Sequence, residues 1–249
     1  MSMLPVKQEI ILGDCLDRTL GMPSLADKSV DHVLTDPPFS ERVHRRLGKE
    51  GRSDGGRARG GLAFDPLTPE LAWSCAREFA RVARRWILIF CDELSFGLWV
   101  QVIEDVGAEY VRKGTWVKKD AMPQMSGDRP STGTEEIVIA HAPRESGRMR
   151  WNGGGRTAVY GGLAQEPLIK RVHPAQKPLW LLGKLLNDFT DPGDTVIDPF
   201  AGSGSTLVAA RQTGRGAIGW ERDATTHAVA VRRVDEAREQ LSLLQGANQ

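Results

Sequence analysis

The chain has 249 residues, 40% of them hydrophobic and 26% charged, which excludes a disordered protein and suits one α/β domain with or without an insertion. Its longest apolar run, Trp86–Cys91, is too short to span a membrane, and the lack of a secretory signal or a CxxC pair indicates a protein of the reducing cytoplasm. The net charge of +1 excludes a strongly basic protein, although residues 41–61 and 144–173 hold seven and six Arg or Lys, each among six glycines.

Apolar runs of strand length alternate with helical patterns along the chain, which predicts βα units and a mostly parallel, doubly wound sheet. The predicted strands are, in chain order, 9–12, 30–35, 86–91, 109–117, 137–141, 195–198 and 216–220. Helices are predicted to begin at the Thr68 cap, after Pro178, after Gly204 and near Asp223. We therefore expect a single domain over 1–249. Within it, the basic stretches predict a mobile loop at 40–64 and a loop-rich insertion at 142–172, which could follow a phosphate backbone or could simply be solvated.

One motif is a glycine-rich turn after the predicted strand 195–198. It reads Asp198-Pro-Phe-Ala-Gly-Ser-Gly-Ser-Thr206 and leads into a helix, so a ligand could approach its backbone near the free N–H groups of that helix. Glu221 ends the next strand, where folds of this kind bind ribose hydroxyls. Leu207 replaces the third glycine of a dinucleotide fingerprint, and no lysine follows Gly204. A nucleoside cofactor without a pyrophosphate therefore fits best, and an ordinary βα turn is the alternative.

A second motif, Asp36-Pro-Pro-Phe39, directly follows the predicted strand 30–35. Its two prolines stiffen the turn and remove two backbone donors, so the carbonyl groups there remain available as acceptors. A carboxylate, a carbonyl and an aromatic ring side by side suit a planar heterocycle that carries an exocyclic amino group. The alternative is a plain strand exit with Phe39 in the core.

Both motifs lie at strand ends, which is where ligands bind in an open parallel sheet, near its switch point. Asp36 and Asp198 are 162 residues apart in the sequence, yet we expect them in neighbouring loops. Asp14, just after the first strand, is a third acid at a strand end. The sequence thus predicts one site that takes a nucleoside cofactor and an amino-bearing base.

With these motifs the sequence resembles the β-class DNA amino-methyltransferases that use S-adenosylmethionine. Asp36-Pro-Pro-Phe39 is similar to the family's catalytic D/N/S-P-P-Y/F/W motif, and Asp198-Pro-Phe-Ala-Gly-Ser-Gly204 to its F-x-G-x-G cofactor motif. His173-Pro-Ala-Gln-Lys-Pro178 is similar to the H-P-x-Q-K-P segment before it, and Gly13-Asp14-Cys15 to the family's opening. The motif order also matches, from about 10 to 221. The resemblance implies a Rossmann-like methyltransferase sheet in which the glycine-rich insertion is a short target-recognition region, and the target sequence stays open.

The resemblance further implies that the protein flips an adenine out of duplex DNA and methylates its N6 atom. Phe39 would stack on the base, while the Asp36 carboxylate and the Pro37 carbonyl would accept the two N6 protons; Pro38 completes the catalytic set. These contacts would aim the nitrogen lone pair at the sulfonium methyl, with no metal and no covalent intermediate. Asp at the first motif position favours adenine, and cytosine N4 is the alternative target.

The implied cofactor contacts extend along three strand ends. Asp14 would bind the adenine of the cofactor and Glu221 its ribose. The remaining implied contacts are Cys15, Lys177, Asp198, Pro199, Phe200, Ala201, Gly202, Ser203, Gly204, Ser205 and Thr206. Lys177 could instead be a solvated lysine at a helix start, and for His173 a packed or capping role is preferred to a catalytic one.

The expected partners are double-stranded DNA and a second copy of the chain, because isologous dimers are the commonest oligomers. Arg42, Arg45 and Arg46 of the mobile loop, together with Arg156, are expected to contact DNA as the loop orders over the flipped base. Such an enzyme would be cytoplasmic and associated with the nucleoid through DNA, with or without a partner restriction enzyme. The open alternatives are a methyltransferase for RNA or protein glutamine, and an inert DNA-binding regulator on the same fold.

Overall fold

A computed structural model describes residues 7–41, 43, 65–144, 147, 149–164 and 176–246, with side chains as far as 239. Eight strands of this part of the chain form one sheet. They are β1 (Gln8–Leu12), β2 (His32–Thr35), β3 (Trp86–Cys91), β4 (Glu109–Lys118), β5 (Thr134–His141), β6 (Val159–Gly162), β7 (Thr195–Asp198) and β8 (Gly216–Glu221). The described helices are a 3₁₀ turn (Met22–Ser24), α1 (Pro69–Val82), α2 (Phe96–Asp105), α3 (Leu179–Phe189), α4 (Ser205–Gln212) and α5 (Ala224–Gly246).

The order of the strands across the sheet is β1-β8-β7-β2-β3-β5-β4-β6. Strand β5 runs antiparallel to β3 and β4, and all other neighbours pair parallel. The connection from β7 through α4 leads to β8 on one side, whereas that from β2 through α1 leads to β3 on the other. Strands β2 and β7 therefore form the switch point, where the loops diverge and leave a crevice. The predicted doubly wound, mostly parallel sheet is confirmed.

Each face of the sheet is covered by an apolar layer of helices. One buried cluster combines α1 and α2 with Ile87 and Ile89, and the other combines α3, α4 and α5 with Leu88 and Phe90. Because β3 is buried on both sides, its sequence is continuously apolar rather than alternating. Helix α1 begins where the sequence predicts, with the Thr68 side chain accepting a hydrogen bond from the backbone N–H of Leu71.

Besides the short 3₁₀ turn, one helix and one strand are absent from the sequence-based prediction. Helix α2 is mostly apolar and carries little of the polar spacing that reveals a surface helix. Strand β6 is four residues long and half glycine, and it lies inside the insertion predicted to be loop-rich. Gly162 is required there by packing, since a Cβ atom would come within 2.3 Å of the Trp180 ring.

The predicted mobile loop at 40–64 falls almost entirely outside the described residues, and so does part of the insertion at 142–172. No described helix combines the length and the hydropathy that crossing a membrane requires.

Candidate active site

The two sequence motifs meet at the switch point. Strands β2 and β7 pair directly, and the Thr35 hydroxyl donates a 2.8 Å hydrogen bond to Oδ1 of Asp198. The same oxygen accepts from the backbone N–H of Phe200 at 3.1 Å, and the Thr206 hydroxyl also bonds the carboxyl group. Asp198 is 3% exposed, and this burial raises its pKa to about 6 despite the three donors. The prediction that Asp36 and Asp198 occupy neighbouring loops is confirmed.

Asp36 belongs to a row of four side chains whose charges alternate in sign. Its Oδ2 accepts a 2.6 Å hydrogen bond from Nζ of Lys177, which also lies 3.0 Å from Oε2 of Glu135. Oε1 of Glu135 in turn accepts from Nζ of Lys118 at 2.6 Å. The Lys177 ammonium faces two rings as well, 5.4 Å from the Phe39 centroid and close to that of a second phenylalanine on β3. Lys177 thereby touches both the carboxylate and the ring of the catalytic motif.

Burial and the attraction between opposite charges together determine the pKa values of Asp36, Lys177 and Glu135. Burial, assisted by the charge of Glu135, raises the pKa of Asp36 above its usual value although Lys177 opposes the shift. Burial also disfavours the charged forms of Lys177 and Glu135, but their ion pairs outweigh it. The pKa of Lys177 therefore lies above its usual range and that of Glu135 below. The site is thus an ionised network with Asp36 as its most readily protonated carboxylate.

One oxygen of the Asp36 carboxylate has no partner in the described structure. Oδ1 is buried and makes no hydrogen bond, while Oδ2 is held by Lys177. The side chain as a whole keeps 22% exposure, so the carboxyl group borders the crevice rather than the core. A buried acceptor without a donor is unfavourable, and a ligand N–H would relieve that.

The catalytic motif is anchored where it leaves the sheet. The Phe39 carbonyl accepts from the backbone N–H of Leu67, and the next residue, Ser40, donates from its N–H and its hydroxyl to Asp92 at 2.8 and 3.0 Å. Asp92 follows β3 and also accepts from Ser95 at the start of α2. Burial opposes ionisation of Asp92, but these donors lower its pKa below the usual value. Phe39 is only partly buried and belongs to neither apolar cluster, so the alternative of a core phenylalanine is wrong.

The glycine-rich turn between β7 and α4 depends on backbone conformations that favour glycine. Gly202 and Gly204 have φ values of +51° and +79°. A Cβ atom at Gly204 would lie 3.1 Å from that of Ala230, whereas at Gly202 the nearest atom would be 4.0 Å away, so space is open above that residue. Arg233 donates to the carbonyl and hydroxyl of Ser203 and fixes the turn from below.

The predicted cofactor residues of this turn differ in accessibility. Phe200 and Gly202 are partly exposed. The other members of the turn are buried: Asp198, Pro199, Ala201, Ser203, Gly204, Ser205 and Thr206. The turn therefore presents mainly backbone and the Phe200 ring to a ligand.

Two further predicted residues lie at the ends of adjacent strands. The backbone N–H of Gly13, after β1, donates to the carbonyl of Glu221 at the end of β8. The Asp14 carboxylate is exposed and accepts from the backbone N–H of Leu16, while Glu221 is partly exposed. Cys15 differs: its side chain is 5% exposed, and a hydrogen bond with a neighbouring core cysteine, together with burial, raises the pKa of its thiol. The Cys15 side chain is thus turned into the core and not toward the site.

The remaining predicted residues are not all brought together. Lys177 is 7% exposed, so the alternative of a solvated lysine is wrong, and it contacts Asp36; its predicted role at the cofactor stays a prediction. Arg156 donates to Asp188 of α3 at 2.5 Å, at the edge of the sheet where the parallel strands begin, opposite the site. Arg156 is therefore not part of this site. The predicted DNA contacts Arg42, Arg45 and Arg46, and also His173, lie outside the described residues.

Sequence reasoning missed the charged partners of the catalytic motif. Lys118 is the last residue of β4 and Glu135 the second of β5, and the antiparallel pairing of these strands brings them to the edge that carries Asp36. The available signal was the presence of charged residues near the ends of two consecutive strands. Within the described ranges, no three His, Cys, Asp or Glu side chains converge where a metal ion could bind.

Comparison with known proteins agrees with this geometry. Residues 30–232 match the model of the N6/N4 DNA methylase family. The chain is 32% identical to YubD of Escherichia coli K12 over 246 residues, covering 95% of this chain and 93% of YubD. It is 29% identical to the type II methyltransferase M2.DpnII of Streptococcus pneumoniae, covering 88% and 87%.

Solved structures show the same fold. The complex of M1.HpyAVI with SAM superposes with a TM-score of 0.66 at 24% identity, covering 91% of this chain and 98% of the other. The cytosine-N4-specific PvuII DNA methyltransferase gives a TM-score of 0.68 at 16% identity, covering 91% and 86%. The family match extends over both motifs and the switch point between them, and it confirms the resemblance drawn from the motifs. The chain belongs to the N6/N4 DNA methylase family.

Proposed function

We propose that the protein transfers the methyl group of S-adenosylmethionine to N6 of adenine in duplex DNA, after flipping the base out of the helix. Family membership supports methyl transfer to an amino group of DNA. The observation that carries the finer proposal is the Asp36 carboxylate, with one oxygen held by Lys177 and the other buried without a partner.

Asp36 and its neighbours suit a planar base with an exocyclic amino group. One N–H of that group would donate to Oδ1 of Asp36 and the other to the carbonyl of Pro37, while the ring stacks on Phe39. Two acceptors on one nitrogen draw it out of conjugation with the ring, so its lone pair becomes available as a nucleophile. The ionised form of Asp36 is the stronger acceptor, and Lys177 supports that state. Positioning and electrostatics then supply the catalysis.

The opposite wall of the crevice fits S-adenosylmethionine, which supplies an electrophilic sulfonium methyl when bound. Open space above Gly202 lets a ligand approach the turn, and the carboxylates of Asp14 and Glu221 at adjacent strand ends suit ribose hydroxyls and the adenine amino group. No phosphate-binding lysine is needed for a cofactor without phosphates. This assignment also agrees with the structural neighbour whose complex contains SAM.

Flipping is required because the crevice lies at the carboxyl edge of the sheet, and a base stacked inside a duplex could not reach it; extrusion costs a few kcal/mol. The sequence that follows Phe39 is basic, and we infer that these residues, most of them outside the described part of the chain, contact phosphates around the flipped base.

Cytosine N4 is the second candidate target. Its amino group would fit the same two acceptors, and one structural neighbour is cytosine-N4-specific. We favour adenine because an aspartate, rather than a serine, begins the catalytic motif of this chain.

Transfer of a labelled methyl group from S-adenosylmethionine to duplex DNA, RNA and protein, measured in parallel, tests the substrate class. We expect label in duplex DNA alone, and its loss in the Asp36→Ala variant, which removes the acceptor. Label in RNA or protein without label in DNA would contradict the proposal. If no substrate is labelled and titration calorimetry detects no cofactor binding, the protein is instead an inert regulator on this fold.

A further inference from the structure

Lys177 lies between two carboxylates that differ in their position relative to the crevice. Asp36 borders the crevice and must accept a ligand N–H, whereas Glu135 sits behind Lys177 on β5 and is not part of the catalytic motif. The Lys177 side chain is 8% exposed, so its charge depends on these two partners. An ammonium that had Asp36 as its only anion would compete directly with the target amino group for the same carboxylate.

One carboxylate oxygen of Glu135 accepts a hydrogen bond, and the other forms an ion pair without hydrogen-bond geometry. Oε1 accepts from Lys118 at 2.6 Å, and Oε2 lies 3.0 Å from Nζ of Lys177. Without the Glu135 charge, the ammonium groups of Lys118 and Lys177 would repel each other across a poorly solvated gap. Lys177 would then move toward Asp36 and shift relative to the Phe39 ring, 5.4 Å away.

We propose that Glu135 is a positioning residue for methyl transfer: by anchoring Lys177 from behind, it holds the Asp36 carboxylate and the Phe39 ring in the arrangement that receives the target amino group. This inference rests on the proposed function. The Lys118 side chain completes the anchor by fixing the carboxylate of Glu135.

The neighbouring Glu136 provides a matched control. It carries the same charge and lies on the same strand, but its side chain faces the opposite side of the sheet. There it accepts a hydrogen bond from the Thr115 hydroxyl at 3.0 Å and lies 3.4 Å from Lys113. Substitutions at the two positions therefore remove one carboxylate each from β5, and only one of them borders Lys177.

The test compares Glu135→Gln with Glu136→Gln in steady-state methyl transfer. Because misplacing reacting groups by about 1 Å can lower a rate roughly 100-fold, we expect Glu135→Gln to reduce kcat by about 10- to 100-fold. The KM for S-adenosylmethionine should change less than kcat, since the glycine-rich turn is untouched. Glu136→Gln should match the wild type, and Glu135→Asp, which keeps the charge, should recover part of the loss.

A pH profile separates positioning from a general structural effect. The groups that face Asp36 are Lys177, Glu135 and Lys118, and Asp36 in turn acts on Asp198 of β7 and on the Cys91 thiol of β3. Glu135 raises the pKa of Asp36, so its neutralisation should move the acid limb of kcat/KM to lower pH. An unchanged limb together with an unchanged kcat in folded Glu135→Gln would overturn the proposal.

A second readout does not depend on activity. In ¹⁵N-lysine-labelled protein, the Lys177 ammonium resonance, assigned by its loss in Lys177→Gln, should shift in Glu135→Gln and stay in place in Glu136→Gln. If Glu135→Gln does not fold, Glu135→Asp, which withdraws the carboxylate from Lys177 by one methylene group, serves for the kcat and ammonium measurements. A wild-type protein that methylates no DNA would refute the proposed function alone, whereas an unmoved ammonium resonance would refute the anchoring contact alone.

Discussion

Replacing Asp198 with asparagine should change how the stability of the protein depends on pH. Burial raises the pKa of Asp198 to about 6 from an ordinary value of 3.8. Between these two values the native state binds more protons than the unfolded state, so the wild type loses stability as pH rises. The two values differ by roughly two, and each pKa unit corresponds to about 1.4 kcal/mol. Ionising Asp198 therefore lowers the free energy of unfolding by about 3 kcal/mol above pH 6.

Asparagine at 198 carries no such penalty, and its side-chain oxygen can still accept from Thr35 and Phe200. Urea unfolding followed by circular dichroism from pH 4 to 8 measures the free energy of unfolding for both proteins. We expect Asp198→Asn to gain about 3 kcal/mol relative to the wild type as pH rises through this range. Thr35→Val, which removes one donor to the carboxylate, should steepen the wild-type decline. A difference between Asp198→Asn and wild type that stays flat with pH would refute the assigned ionisation.

Four further predictions concern catalysis, the turn, DNA and assembly. Asp36→Ala should abolish methyl transfer while calorimetry finds cofactor binding nearly intact; substantial residual activity would remove Asp36 from its role. Gly204→Ala should lower the free energy of unfolding by roughly 1–2 kcal/mol, because φ is +79° and the new Cβ would lie 3.1 Å from a neighbouring Cβ; an unchanged melting temperature would contradict this. Replacing Arg42, Arg45 and Arg46 with alanine should weaken DNA binding and flatten its salt dependence at constant cofactor affinity, whereas an unchanged salt slope would exclude these contacts. Light scattering should give about twice the 27.4 kDa chain mass for a homodimer, and a mass near 27.4 kDa would reject it.

The arrangement at the switch point could be predicted from the sequence because it depends on local rules. Each motif follows a strand directly, and the carboxyl ends of parallel strands share one edge of a sheet. The continuously apolar run Trp86–Cys91 likewise indicates a strand covered on both faces, as observed. Predicting these features required only composition, spacing and the conformational limits of glycine and proline.

The charge network could not be predicted in the same way, because it depends on register between distant strands. Lys118 and Glu135 meet through the β4–β5 pairing, and Lys177 reaches them from a segment before α3. The basic composition around Arg156 predicts a DNA contact, which stays a prediction, but tertiary packing pairs this residue with Asp188 at the edge opposite the site. Composition shows that a segment is basic, but the edge of the sheet at which that segment lies depends on the fold.

The identity of the modified base tests the central claim most directly. Duplex DNA treated with the purified protein and S-adenosylmethionine would be digested to nucleosides and analysed by mass spectrometry, with Asp36→Ala as the blank. We predict N6-methyladenine in the wild-type digest and none in the blank. N4-methylcytosine as the sole product would contradict the assignment of adenine to the Asp36 site.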